Sequence, residues 1–75
     1  MSVVLRCTGR ADGDIGLETG AYLQRFNDEA FGGRGYALWT TDRRRAMRFD
    51  TPASARATAA VAPLAPIRLI IEPAP

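Results

Sequence analysis

Residues 39–50 read WTTDRRRAMRFD, and the folding of this stretch decides how many helices the chain has. Ahead of it, Tyr36 and Leu38 alternate with Ala37 and Trp39 at the period of a half-buried strand. After Trp39 the period changes. Thr41 can act as an N-cap, Asp42 at the first helical position suits the positive end of a helix dipole, and Ala46 and Phe49 recur at helical spacing. The spacing predicts a short helix over about Asp42 to Arg48. At 100° per residue Arg44, Arg45 and Arg48 share one side of it, with Ala46, Met47 and Phe49 on the other. Arg43 falls nearer the apolar side, where its stem can cross Met47 while its head stays in water.

Outward from this stretch the boundaries are clearer. DTPASARATAAVAP offers Thr51 as N-cap, Pro52 as first helical residue, an alanine-rich body and Pro63 as a stop, so a second helix is expected from about Pro52 to Ala62. PIRLIIEP alternates Ile67, Leu69 and Ile71 against Arg68, Ile70 and Glu72, and its β-branched content favours a strand. Towards the N-terminus, SVVLRCT sets Val3, Leu5 and Cys7 against Val4, Arg6 and Thr8. AYLQRFN sets Tyr22, Gln24 and Phe26 against Leu23 and Arg25, and the turn-rich NDEAFGGRG joins it to the strand ending at Trp39 as an antiparallel neighbour. GRADGDIGLETG, with four glycines, is expected to be a loop or a wide hairpin connection. The expected fold class is α+β: a small antiparallel sheet in β-β-β-α-α-β order, with two short helices packed on one face. It forms one domain over residues 1–75, with residues 73–75 fraying.

Size and composition narrow the function. A chain of 75 residues buries only about 60% of its unfolded surface, which leaves no room for a deep cleft. Hydrophobic residues at 47% and charged residues at 24% describe a folded soluble domain rather than a disordered tail. One cysteine and no secretory leader pattern point to the cytoplasm, or the host-cell cytoplasm if the protein is phage-encoded. The apolar stretch from Ala59 to Ile71 is broken by Pro63, Pro66 and Arg68, so no membrane span is expected. The net charge of +2 is unevenly spread: residues 1–30 hold three arginines against five acids, and residues 31–75 hold seven against three. All ten basic residues are arginine, a bias that a G+C-rich genome also produces.

Catalytic and metal chemistries find little to work with. There is no histidine, and one cysteine cannot build a zinc site. Cys7 shares a strand side with Val3 and Leu5 and reads as a core residue. DGDIGLE departs from a calcium loop, because counted from Asp12 its glycine falls at the fifth position and Leu23 stands where the bidentate Glu belongs. A phosphate-binding P-loop needs a lysine, which the chain lacks. No enzyme, cofactor or metal is expected.

Contact sites remain. Arginines in a first helical turn oppose the macrodipole at roughly 0.3–1 kcal/mol per charge, and Arg44 with Arg48 is a like-charge pair at i, i+4. Arg44, Arg45 and Arg48 therefore read either as a solvated, internally paired face or as a partner-binding one. The acidic loop residues Asp12, Asp14 and Glu18 can offset that charge internally or meet a basic partner. Phe31, an apolar ring in a glycine-flanked link, is a candidate anchor for a protein partner. Direct nucleic-acid binding is not favoured: Trp39 and Phe49 flank the arginines but are more useful as core, and the helix is too short to cross a groove.

GAYLQRFN, GGRGYALWTTD, AMRF and the alanine-rich helix after DTP resemble a recurrent group of small phage and prophage proteins, whose pattern runs Y-L-x-x-F/Y, a glycine turn, W-T-x-D, A-x-x-F and a short helix. The resemblance covers about residues 20 to 60. In size and style the chain is also similar to small, cofactor-free anti-CRISPR proteins directed at type I, multi-subunit RNA-guided surveillance complexes. That resemblance implies a non-enzymatic inhibitor that binds a Cas protein surface and occludes target DNA. The acidic loop would imitate phosphates, or the arginine face would dock on an acidic surface. The alternatives are a small nucleic-acid-binding accessory protein using the arginines, and a structural module that dimerises through a sheet edge.

Overall fold

The computed structural model describes residues 2–10, 18–27, 29, 32, 35–61 and 64–75. Four strands, β1 (Val3–Arg10), β2 (Tyr22–Asn27), β3 (Tyr36–Thr40) and β4 (Ile67–Pro73), form an antiparallel sheet in the spatial order β3-β2-β1-β4, and helix α1 spans Pro52–Ala59. The mixed α+β class therefore stands. Among the described residues the element order is β-β-β-α-β, with one helix, Pro52–Ala59, where two were expected.

Helix α1 forms where its capping signals lie. The Thr51 side chain accepts from the Ser54 N–H at 3.1 Å, and Pro52 occupies the first turn, where its missing N–H costs nothing. The helix ends at Ala59, short of the expected Ala62. Ala55 and Ala59, one turn apart, face the sheet: Ala55 is fully buried and Ala59 packs against the same core. With only methyl groups at the contact, the helix sits close to β1 and β4. Val3, Leu5, Leu23, Phe49 and Leu64 fill the space between, joined by Trp39, Phe26, Ile67, Leu69 and Ile71. Cys7 is fully buried, as its strand side predicts.

The helix expected over Asp42–Arg48 is instead a single 3-10 turn at Arg43–Arg45 followed by extended chain. Asp42 caps the turn, its carboxylate accepting from the Arg44 N–H, and Ala46 already has β geometry at φ −63°, ψ 145°. A tertiary competitor overrides the helical spacing. Strands β1 and β2 are in register only at Arg6 and Tyr22, and then diverge like a fork. Residues 47–49 enter the gap. The Met47 N–H donates to the Leu23 carbonyl at 2.8 Å, and Phe49 exchanges two backbone hydrogen bonds of 2.9 Å with Val3. Sheet pairing satisfies these backbone groups and buries the Phe49 ring, whereas a helix would carry three arginines against its own dipole.

A second departure lies in β2, where the register against β3 shifts between Leu23 and Arg25. Gln24 is the extra residue of a β-bulge. Strict alternation would place Leu23 and Phe26 on opposite faces; the bulge turns both towards the core and leaves Tyr22, Arg25 and Asn27 on the other face. The chain end corrects a further expectation. Pro73 is the last residue of β4, the Ala74 N–H donates to the Ser2 carbonyl, and the carbonyls of Pro73 and Pro75 accept from the guanidinium groups of Arg43 and Arg48.

Candidate functional site

The face of the sheet turned away from α1 is the site candidate, and its composition follows from strand register. Arg6 pairs with Tyr22 on one side and Ile70 on the other, so these three side chains project together. Along β4, Arg68 and Glu72 join Ile70, since Ile67, Leu69 and Ile71 point into the core. On the far side of the bulge, Arg25 pairs with Leu38 and Asn27 with Tyr36, again opposite the core residues Phe26, Ala37 and Trp39. Arg48 belongs to this face as well, because Phe49 pairs with Val3 and the adjacent position lies opposite Val4. Arg25, Arg48, Arg68, Tyr36 and Ile70 are exposed. Val4 is fully buried between Glu72 and the segment that carries Arg48.

Among the described residues paired across this face, four guanidinium groups (Arg6, Arg25, Arg48, Arg68) accompany the carboxylate of Glu72. Glu72 is shared: the Arg6 Nε lies 2.8 Å from its Oε2, and the Tyr22 hydroxyl donates a long 3.4 Å bond to its Oε1. Sequence reading missed this set, since its members come from three strands and Arg25 reaches the face only through the bulge. The β4 alternation did carry a signal, having already set Arg68 and Glu72 opposite the apolar side.

The expected arginine cluster is divided by the structure. Arg44 and Arg45 project from the 3-10 turn with 83% and 74% of their side chains exposed, and both lean on Asp42 at 3.5 and 3.8 Å. The Asp42 carboxyl is held below its ordinary value, first by the hydrogen bond from the Arg44 N–H, with desolvation the next-largest influence and opposed to it, and then by the Arg44 and Arg45 charges. Arg48 points elsewhere, to the Pro75 carbonyl at 3.1 Å. The single helical arginine face is therefore not formed. Of the acidic loop, Glu18 pairs with Arg10 at 3.2 Å, while Asp12 and Asp14 lie outside the described residues, as does Phe31.

Two concavities complete the surface. One, of about 370 Å³, lies at the fork and is lined by Gln24, Arg25, Phe26, Asn27, Tyr36 and Met47. The other, about 450 Å³, runs between the start of α1 and β4 and is lined by Ser2, Val3, Asp50, Thr51, Pro52, Ile71, Glu72 and Pro73. No group of three or more metal-ligating side chains occurs among the described residues, and no helix there is long and apolar enough to cross a membrane.

No family model, curated protein or solved structure matches the chain. The arginine-bearing face and the fork are the two features that bear on function. Both are products of the same event, the entry of residues 47–49 between β1 and β2, which places Arg48 on the face and Met47 in the wall of the cleft.

Proposed function

We propose that the protein works by contact rather than by bond chemistry, as a small module that engages an anionic macromolecular surface through the arginine-bearing face of its sheet. The observation that carries this reading is the segregation of side chains. The face covered by α1 is apolar, and the described residues of the opposite face include Arg6, Arg25, Arg48 and Arg68 beside Glu72. Such a group of arginines draws anionic partners by long-range attraction and fixes their register at short range.

The resemblance to small phage inhibitors gives the reading a biological form. An RNA-guided surveillance complex of a host offers both acidic protein surfaces and nucleic acid, and a compact arginine-faced domain seated there would block target DNA. In this form the protein is an inhibitor acting by occlusion, with Arg44 and Arg45 as an outlying charged pair beside the main face.

The first test is retention on immobilised heparin over a salt gradient. The wild-type protein is expected to bind at low salt, and the double variant Arg25→Glu, Arg68→Glu to elute much earlier with an unchanged circular dichroism spectrum. Equal elution of the two proteins would refute the face. For the inhibitor form, co-purification of surveillance-complex subunits with the tagged protein is expected, and is expected to be lost in the same double variant.

A further inference from the structure

The cleft at the fork has features that a generic anion-binding face does not need. Its volume of about 370 Å³ falls at the lower end of the range for small-ligand sites, roughly 300–1,000 Å³, and its wall mixes two kinds of group. Tyr36, Phe26 and Met47 supply apolar and aromatic surface. Gln24, Asn27 and Arg25 supply planar amide and guanidinium groups. The Asn27 carbonyl oxygen already accepts from the Glu29 N–H at 2.9 Å, so the Asn27 amide presents its NH₂ as donor. Tyr36 is 41% exposed, and Arg25 is exposed beside it. The cleft opens at the margin of the face that carries Arg6, Arg48 and Arg68.

A pocket lined by a ring, apolar groups and amides, adjoining several arginines, suits an unstacked base attached to a phosphate backbone. Bases in single strands are recognised by stacking on aromatic rings and by hydrogen bonds to their edges, while arginines follow the phosphates. A double helix cannot use such a cleft without extruding a base. The carboxylates of an acidic protein surface would use the arginines but leave the rings and amides of the pocket without a partner. Two tyrosines, Tyr22 and Tyr36, stand among the arginines on this face, the interleaving of rings and charge that the 39–50 stretch lacks.

We propose that the fork cleft holds one base of a single-stranded nucleic acid whose backbone crosses the arginine face. The proposal rests on the anionic-partner reading above and names the class of partner. Base contacts come from Gln24, Asn27 and Tyr36, and phosphate contacts from Arg25, Arg68 and Arg48.

The test is fluorescence anisotropy with labelled oligonucleotides of about 12 nucleotides, homopolymeric DNA and RNA single strands alongside a duplex of equal length, at about 50 mM salt. Single strands are expected to bind more tightly than the duplex. Tyr36→Ala is expected to weaken single-strand binding about tenfold or more, and Tyr36→Phe to restore most of it. Thermal unfolding of each variant confirms that it is folded; should Tyr36→Ala not fold, Asn27→Ala is read in its place. Duplex bound as tightly as single strands, or unchanged affinity in Tyr36→Ala, would overturn the cleft proposal. Binding to heparin or to polyglutamate without binding to single strands would also overturn it while leaving the anionic-partner reading in place. No binding to any of these polyanions would remove both.

Discussion

Phe49 and Val3 exchange both of their backbone hydrogen bonds, each 2.9 Å long, and the Phe49 ring is only 5% exposed. This pair closes the fork between β1 and β2 and fixes everything that follows the arginine turn. Phe49→Ala is expected to cost about 3–5 kcal/mol, enough to unfold a domain this small. Phe49→Leu, which keeps most of the volume, is expected to cost no more than about 1.5 kcal/mol. Urea unfolding measures both, and equal midpoints for Ala and Leu would show that the ring does not close the fork.

Helix α1 approaches the sheet through Ala55, which is fully buried. A larger side chain there has no space without displacing the helix. Ala55→Leu is expected to destabilise by about 1–3 kcal/mol despite the higher hydrophobicity of leucine. Ala57→Leu, at an exposed position of the same helix, is the matched control and is expected to change stability by less than about 0.5 kcal/mol. Thermal melts of the two variants decide the point.

Gly20 has φ +88°, and its N–H donates to the Cys7 carbonyl at 2.8 Å, bringing the chain back into β2. A Cβ at this position would meet no atom within 4 Å, so the cost of Gly20→Ala is backbone strain alone, about 1–2 kcal/mol. A stability change near zero would mean that the turn can adopt a negative φ.

Asp42 supplies a pH dependence whose sign is fixed by the direction of its shift. With the carboxyl held below its ordinary 3.8, the turn it caps is favoured above that value and loses this support as pH falls through the lowered one. The Arg44 amide resonance is expected to titrate with a midpoint below 3.8 in the wild-type protein and to stop titrating in Asp42→Asn. A midpoint above 3.8 would contradict the hydrogen bond as the dominant influence.

The sequence made α1 and the four strands legible because their signals are local. Thr51 and Pro52 cap the helix from adjacent positions, and the alternation of Ile67, Leu69 and Ile71 needs no knowledge of a partner. The arginine stretch was not legible, since its choice between helix and extended chain is made by Val3, forty-six positions away. Gln24 was hidden for a related reason: a bulge is visible only when β2 is laid against β3. The candidate site inherits both gaps. Three adjacent arginines drew attention to themselves, whereas Arg6, Arg25 and Arg68 become neighbours only through pairing, and Tyr36 acquires a role only beside the cleft.

The longest ladder of the sheet joins opposite ends of the described chain: Val3 is in register with Pro73, seventy positions later, and Arg10 with Ile67. A contact of that span must wait for a large loop to close before it is rewarded, and topologies dominated by such contacts fold on millisecond-to-second rather than microsecond timescales. Until β4 arrives, β1 has one flank unpaired and a run of valine and leucine on display, so a slow or truncated folding trajectory exposes the segment most prone to self-association. Expression at reduced temperature, or with a chaperone in excess, should therefore raise the soluble yield more than any substitution on the arginine face.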